Sequence, residues 1–248
     1  MFNPNDSART HHTLCAPGEV GGYVLLPGDP DRTDIIAQRL ENPQLIANNR
    51  ELRTWTGYLD GVMVSVASTG MGCPSAAIAV EELIKCGAHT IIRVGSCGRV
   101  CDSSYDESID GFICTAAVRD EGTTPHYVPI EFPAVADRHV VAALADAAEK
   151  LGVHFMEGIT LTKDCYYIQY EPDDLPSGER FKERWEAWRR ANVVTVEMET
   201  SALFIIASIR KCRAGAIMNR VDFDKTISVA VEAMRSLIAQ DRAKGRLS

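Results

Sequence analysis

The stretch STGMGCPSAAIAVEELIKCGAHTIIRVGSCG, Ser68 to Gly98, decides the fold class, because it alternates glycine turn, helix, strand and a second glycine turn. Gly70 and Gly72 predict backbone conformations that a side chain would forbid, and Pro74 suits the first turn of a helix. Ala76, Val80, Leu83 and Ile84 then fall at i, i+4, i+7 and i+8, one apolar helical stripe that Gly87 ends. His89 to Val94 is a short, mostly apolar run, as expected of a strand covered on both faces. Inside it sits Arg93, just before Gly95-Ser96-Cys97-Gly98. A guanidinium buried at a strand end is costly unless something anionic pairs with it. Two readings stay open: an arginine satisfied by a structural carboxylate, or an anion site of arginine fork, glycine-turn amides and the Ser96 hydroxyl.

Composition narrows the class. The 248 residues are 46% hydrophobic and 24% charged, enough for a substantial core in a soluble chain. A net charge of −8 argues against nucleic-acid or anionic-membrane partners, so an anionic substrate would need a local arginine cluster. No apolar run is long enough to span a bilayer, and the opening MFNPNDSARTHH lacks the apolar core of a secretory leader. Eight scattered cysteines, without a CxxC pair or zinc spacing, predict free thiols in a reducing compartment and a cytoplasmic location.

Outward from the central stretch, residues 1 to about 20 read as irregular, with His11-His12 the one chemically loud feature. Tyr23 to Leu26 is a short strand running into Pro27-Gly28-Asp29-Pro30-Asp31-Arg32, where Asp29 suits an N-cap and Pro30 the first helical residue. Strand, glycine turn, helix N-terminus and arginine make a second candidate anion site, without Walker or dinucleotide spacing. Asn49 to Trp55 reads as a strand carrying Arg50 and Arg53, and Asp60-Gly61 as the turn of a hairpin whose second strand is Val62 to Ala67. Ile113 to Val118 and Ile159 to Thr162 predict strands. A helix begins near Asp137, Glu171 to Gly178 is a surface loop, and Phe181 to Arg190 is a further helix. After an apolar run from Val193 comes Glu197-Met198-Glu199-Thr200, where strand meets helix; two carboxylates at this spacing are not expected to share one face. The alternation implies one α/β domain over residues 1–248, with a mixed, mainly parallel central sheet flanked by helices.

Four collinear segments carry a resemblance: LPGDPDR (Leu26 to Arg32), STGMGCPSAAIAVEEL (Ser68 to Leu83), IRVGSCG (Ile92 to Gly98) and VEMETSAL (Val196 to Leu203). Together they resemble the nucleoside phosphorylase family, which exchanges the base of a nucleoside for phosphate, and HYVPIEFPAVAD (His126 to Asp137) resembles its uridine-cleaving branch. The resemblance implies phosphate binding by Gly28, Arg32, Arg93 and Ser96, the last in a position usually held by threonine, with Arg50 lent to the site of a second copy. It implies ribose binding by Glu197, Met198 and Glu199, and by His12 across a dimer interface, from the H-x-x-x-x-P-G-E spacing. The base would meet Cys97, Gly98, Tyr166, Gln169 and Arg220. A cation on the dimer axis would be held by Glu51 and Ser75; no cofactor is otherwise required, inorganic phosphate is the co-substrate, and the assembly is a homodimer or a hexamer of dimers.

Two departures stand out. The family's Gln-x-Arg pair after the aromatic reads Tyr166-Tyr167-Ile168-Gln169-Tyr170-Glu171-Pro172, without the arginine. The region from Arg213 to Thr226 is shorter than the family pattern on both sides of Arg220. The expectation is a uridine-cleaving pentosyltransferase of nucleoside salvage. The alternatives are a purine nucleoside phosphorylase, with Asp222 as its base-side acid, and a nucleoside-binding homologue without turnover.

Overall fold

The computed structural model describes residues 9–100 and 108–247. The first eight residues of the irregular N-terminal stretch, and Cys101 among the expected free thiols, lie outside them. The described elements are, in order, β1 (Tyr23–Leu26), α1 (Pro30–Ala37), β2 (Glu41–Asn49), β3 (Leu52–Leu59), β4 (Val62–Ala67), α2 (Cys73–Lys85), β5 (Thr90–Ser96), β6 (Gly98–Arg99), β7 (Gly111–Asp120), β8 (Ala134–Val135), α3 (Arg138–Leu151), β9 (Phe155–Lys163), α4 (Gly178–Arg190), β10 (Val193–Glu197), α5 (Thr200–Arg210), β11 (Arg213–Asn219) and α6 (Phe223–Ala243). One sheet runs β2-β3-β4-β1-β5-β11-β7-β9-β10-β6, with β8 beside β7. It is mixed: β4, β1, β5 and β11 are mutually parallel, as are β7, β9 and β10, and the two groups meet antiparallel between β11 and β7.

Local signals place the turns. Asp29 accepts from the amide of Asp31 at 2.9 Å and caps α1, with Pro30 at its first position. Asp137 caps α3, and Gly152 ends it in the left-handed conformation. Asp60 and Gly61 turn the β3–β4 hairpin as expected. The strand read from Asn49 to Trp55 is instead two strands: β2 ends at Asn49, and Arg50, with φ of 55°, turns the chain into β3.

Strand β5 is buried, and its side chains serve two faces. Ile92 and Val94 join the cluster that includes Ile36 of α1, Leu144 of α3 and Leu237 of α6. Ile91 packs on the other side with Val80 of α2 and Phe204 of α5, and Arg93, two residues on, shares that face. Helices on both faces make β5 the centre of the molecule.

The connection after β5 has the largest consequence. β5 ends at Ser96 and β6 begins at Gly98, so a single residue tethers the outermost strand of one flank to the middle of the sheet. β6 pairs antiparallel with β10, Gly98 opposite Val196. The run β5-β11-β7-β9-β10 must therefore curl until β10 lies beside the end of β5. That curl brings the end of β10, Glu197, to Arg93.

At the opposite end of the central strands, where β1 and β11 begin, a second charged cluster ties α6 down. Asp241, buried, accepts from the Tyr23 hydroxyl at 2.6 Å and is ion-paired with Arg213. Burial pushes the Asp241 carboxyl up, but the bonds from Arg213 and Tyr23 outweigh it and hold the group below its ordinary range. A carboxylate with a depressed pKa contributes stability that is present above its unfolded pKa of about 3.9 and lost as pH falls through the folded value. Asp241→Asn is expected to lower stability by about 3 kcal/mol at neutral pH, on the scale of breaking a buried pair. In urea unfolding followed from pH 7 to pH 3, the gap between wild type and variant should narrow below about pH 4.

Candidate active site

A cavity of about 840 Å³ opens where β1, β5, β9 and β10 end. Arg93, 4% exposed, forms its floor. Its Nε donates to Glu197 Oε2 at 3.2 Å, its Nη2 is bonded to Glu199, and its Nη1 is buried with no protein acceptor among the described residues. The structural-carboxylate reading of this arginine accounts for two of its nitrogens and leaves the third without a protein acceptor among the described residues. Burial opposes the charge, yet Glu199 and Glu197 outweigh it and hold the guanidinium above its ordinary pKa. Gly95 makes the arrangement possible, since a Cβ there would lie 2.8 Å from Met218 Sδ and 3.2 Å from the Arg93 guanidinium carbon.

The two glutamates both meet Arg93 but do different work, because the strand stops at Glu197 and the chain turns before α5. Glu197 is a brace. Its Oε1 accepts from Thr162 Oγ1 at 2.5 Å, and its Oε2 from the amides of Glu199 and Thr200 at 2.8 and 2.9 Å. Glu199 faces the cavity and accepts the Gly72 amide at 2.6 Å, presented by a backbone with φ of 87°. Burial lifts the Glu199 carboxyl above the ordinary range, Arg93 offsetting only part of it. Met198 lies between them on the cavity wall.

Around Arg93 the two candidate anion sites of the sequence come together in one corner of the cavity, the anion corner. Arg32, from the first turn of α1, donates through Nη1 to Ser96 Oγ at 2.7 Å. Its guanidinium carbon sits 4.4 Å from the centre of the Phe223 ring, at the start of α6. Gly28 lines the same corner, and a Cβ added to it would stand 3.9 Å from Arg93 Nη1. Arg53, by contrast, is taken by Asp31 and Asp34 at 3.1 and 2.8 Å.

Cys97, Gly98, Tyr166 and Gln169 line the cavity as well. A Cβ at Gly98 would lie 3.1 Å from Gln169 Nε2, so the absent side chain lets the amide fold over that turn. Tyr166 and Tyr170 face one another, ring centres 4.9 Å apart. Lys163, absent from the sequence candidates, also lines this part of the cavity.

Five candidates, Arg220, Asp222, His12, Arg50 and Ser75, lie off the cavity wall of their own chain. Arg220 donates to the carbonyl of Ile109 at 2.8 Å, held there because only three residues separate β11 from α6. Asp222, in the same connection, is the N-cap of α6 and accepts from the amide of Asp224 at 2.9 Å. His12 is fixed by Glu82, which meets its ring Nδ1 at 2.8 Å and also accepts its amide. Arg50 is exposed on the β2–β3 turn. Next to it Glu51 lines the cavity and accepts from the Ser75 hydroxyl at 3.0 Å; its own amide and Ser75 hold the carboxyl below the usual range. Among the described residues no group of three or more histidine, cysteine or acidic side chains is arranged to hold a metal ion.

The profile of the phosphorylase superfamily matches residues 23–239. Similar proteins include the uridine phosphorylase of Thermococcus kodakarensis, 43% identical over 251 residues, or 95% of this chain and 89% of that protein. The uridine phosphorylase of Treponema pallidum is 41% identical over 247 residues, 93% of this chain and 95% of that protein. The guanosine phosphorylase of Halorubrum lacusprofundi is 36% identical over 210 residues, covering 85% and 82% respectively.

The anion corner makes a direct prediction. Inorganic phosphate is expected to raise the melting temperature of the wild type, at about 100 times its dissociation constant by the equivalent of roughly 2.7 kcal/mol. Arg32→Ala should abolish the rise. Phe223→Leu, which removes the ring face but keeps an apolar side chain, should weaken phosphate binding about two- to fivefold, as for loss of an exposed cation–π contact. Calorimetric titration with phosphate reads both.

Proposed function

The chain belongs to the phosphorylase superfamily, and on that premise we propose that it cleaves uridine with inorganic phosphate to give uracil and ribose 1-phosphate, a step of nucleoside salvage. The observation that carries the proposal is the unmatched, buried Nη1 of Arg93 beside the Arg32–Ser96 pair and a cavity-facing carboxylate. Phosphate supplies the missing acceptor and attacks the sugar. As the glycosidic bond lengthens, positive charge grows on the ribose ring and negative charge on the base. Arg32 and Arg93 fix the phosphate through forked donors that a lysine would not reproduce, while the phosphate itself is counter-charge to the cationic sugar. Glu199, charged against Arg93, is placed to accept from the ribose hydroxyls, and Glu197 keeps both in position. Catalysis is then positional and electrostatic, with no covalent intermediate on the protein.

Several parts of this reading need a second copy of the chain. Arg50 would complete a neighbouring phosphate site, and His12, oriented by Glu82, would reach a neighbouring ribose, so the working unit is at least a homodimer. Glu51 and Ser75 offer oxygen donors of the hard type that suits an interface cation, doubled across the two-fold axis. No organic cofactor enters the step. Among the described residues no helix is long and apolar enough to cross a membrane. The cytoplasmic location we propose rests on the scattered cysteines of the sequence, which suit a reducing compartment.

A purine-cleaving reading is favoured by one observation, the turning of Arg220 toward Ile109 rather than into the cavity. Release of free base from uridine and from inosine, each with and without phosphate, separates the readings. Uracil released only with phosphate is the expected result. Hypoxanthine alone would move the enzyme to purines. Tight nucleoside binding without either product would mark a homologue that has lost turnover.

A further inference from the structure

Lys163 ends β9 and is 4% exposed. A buried ammonium is costly unless acceptors surround it. Two do: the carbonyls of Cys165 at 2.6 Å and Tyr166 at 3.3 Å. An ammonium carries three N–H donors, and among the described residues no protein group takes the third. The nitrogen stands 5.6 Å from the centre of the Tyr166 ring, and Lys163 lines the cavity with Gln169 and Tyr170 as well as a smaller one with Asp120 and Arg184. Asp120, opposite Lys163 in the β7–β9 register, is ion-paired with Arg184 at 2.5 Å. The cavity is lined by three cationic side chains: Arg32 and Arg93, committed to the anion corner, and Lys163.

This arrangement bears on the missing arginine of the Tyr166–Pro172 stretch. A departing uracil needs a donor for the charge it acquires, and Arg220 is directed to Ile109. Resting on the uridine-phosphorolysis reading, we propose that Lys163 is a catalytic residue that stabilises the leaving base, its free N–H donating to a carbonyl oxygen of uracil as the glycosidic bond breaks. In that step a phosphate oxygen bonds to C1′ and the C1′–N1 bond breaks. Its electron pair spreads over N1 and the carbonyl oxygens of the base, which takes its proton from water afterwards. The carbonyls of Cys165 and Tyr166 hold the ammonium in place before the charge develops, the condition under which a donor is most effective. Burial also pushes its pKa below the ordinary lysine value, which sharpens it as a donor.

The test compares uridine with 5-fluorouridine, whose electron-withdrawing fluorine makes the base a better leaving group. Lys163→Met is expected to lower kcat on uridine about 100-fold, the scale of losing one preorganised donor, but on 5-fluorouridine less than about 10-fold. Lys163→Arg should restore part of the uridine rate. Should Lys163→Met fail to fold, Lys163→Gln carries the same comparison. Equal loss on both substrates would mean that Lys163 only orders the loop around Tyr166, and the proposal is overturned. A wild type that releases no uracil with phosphate overturns the functional reading and the proposal with it, whereas leaving-group independence in an active wild type overturns the proposal alone.

Discussion

A guanidinium buried at the end of the central strand constrains nearly everything around it. Arg93 is buried between Glu197 and Glu199, and the two carboxylates hold its guanidinium above its ordinary pKa against the cost of burial. Clusters of this kind contribute little net stability, since desolvation offsets most of the attraction. Their use lies in what they leave over. Three charges, one positive and two negative, leave one guanidinium nitrogen without a protein acceptor among the described residues, and the proposed function seats phosphate there.

Holding that cluster together is a topological matter. Glu197 and Arg93 are 104 residues apart. They meet because Cys97 alone joins β5 to β6, and β6 pairs with β10, forcing one flank of the sheet to curl back on its centre. Thr162 at the end of β9 then reaches Glu197, and Lys163, one residue on, lines both this cavity and a smaller one beside Asp120 and Arg184. The same closure therefore places the groups assigned to phosphate, sugar and base on strand ends that point in opposite directions along the open sheet.

Features set by neighbours in the chain were legible from the sequence. The Asp29–Pro30 helix start, the Asp60–Gly61 hairpin, the helix after Gly72 and the burial of Arg93 all follow from side chains within a few residues of one another. Features set by pairing across the chain were not. The two glutamates share one arginine because of a turn that spacing alone does not show. Strand β2 carries mostly exposed residues and a proline, so it lacks the apolar alternation that marks a strand. Helix α6 keeps Ile227, Met234, Leu237 and Ile238 at a helical period, but Glu232 and Arg235 fall among them and blur the stripe. Lys163, in a polar Thr-Lys-Asp run, has the look of a surface lysine; its burial comes from β7 and the tyrosine loop that fold over it.

On the proposed function, the unmatched nitrogen of Arg93 is the seat of the phosphate. A crystal structure of the protein grown with inorganic phosphate tests it most directly. The account predicts a phosphate oxygen within about 3 Å of Arg93 Nη1, with the Arg32 guanidinium and the Ser96 hydroxyl on the same ion. A phosphate bound elsewhere, with Arg93 Nη1 facing water or a third carboxylate, would contradict it and reduce the cluster to a structural brace.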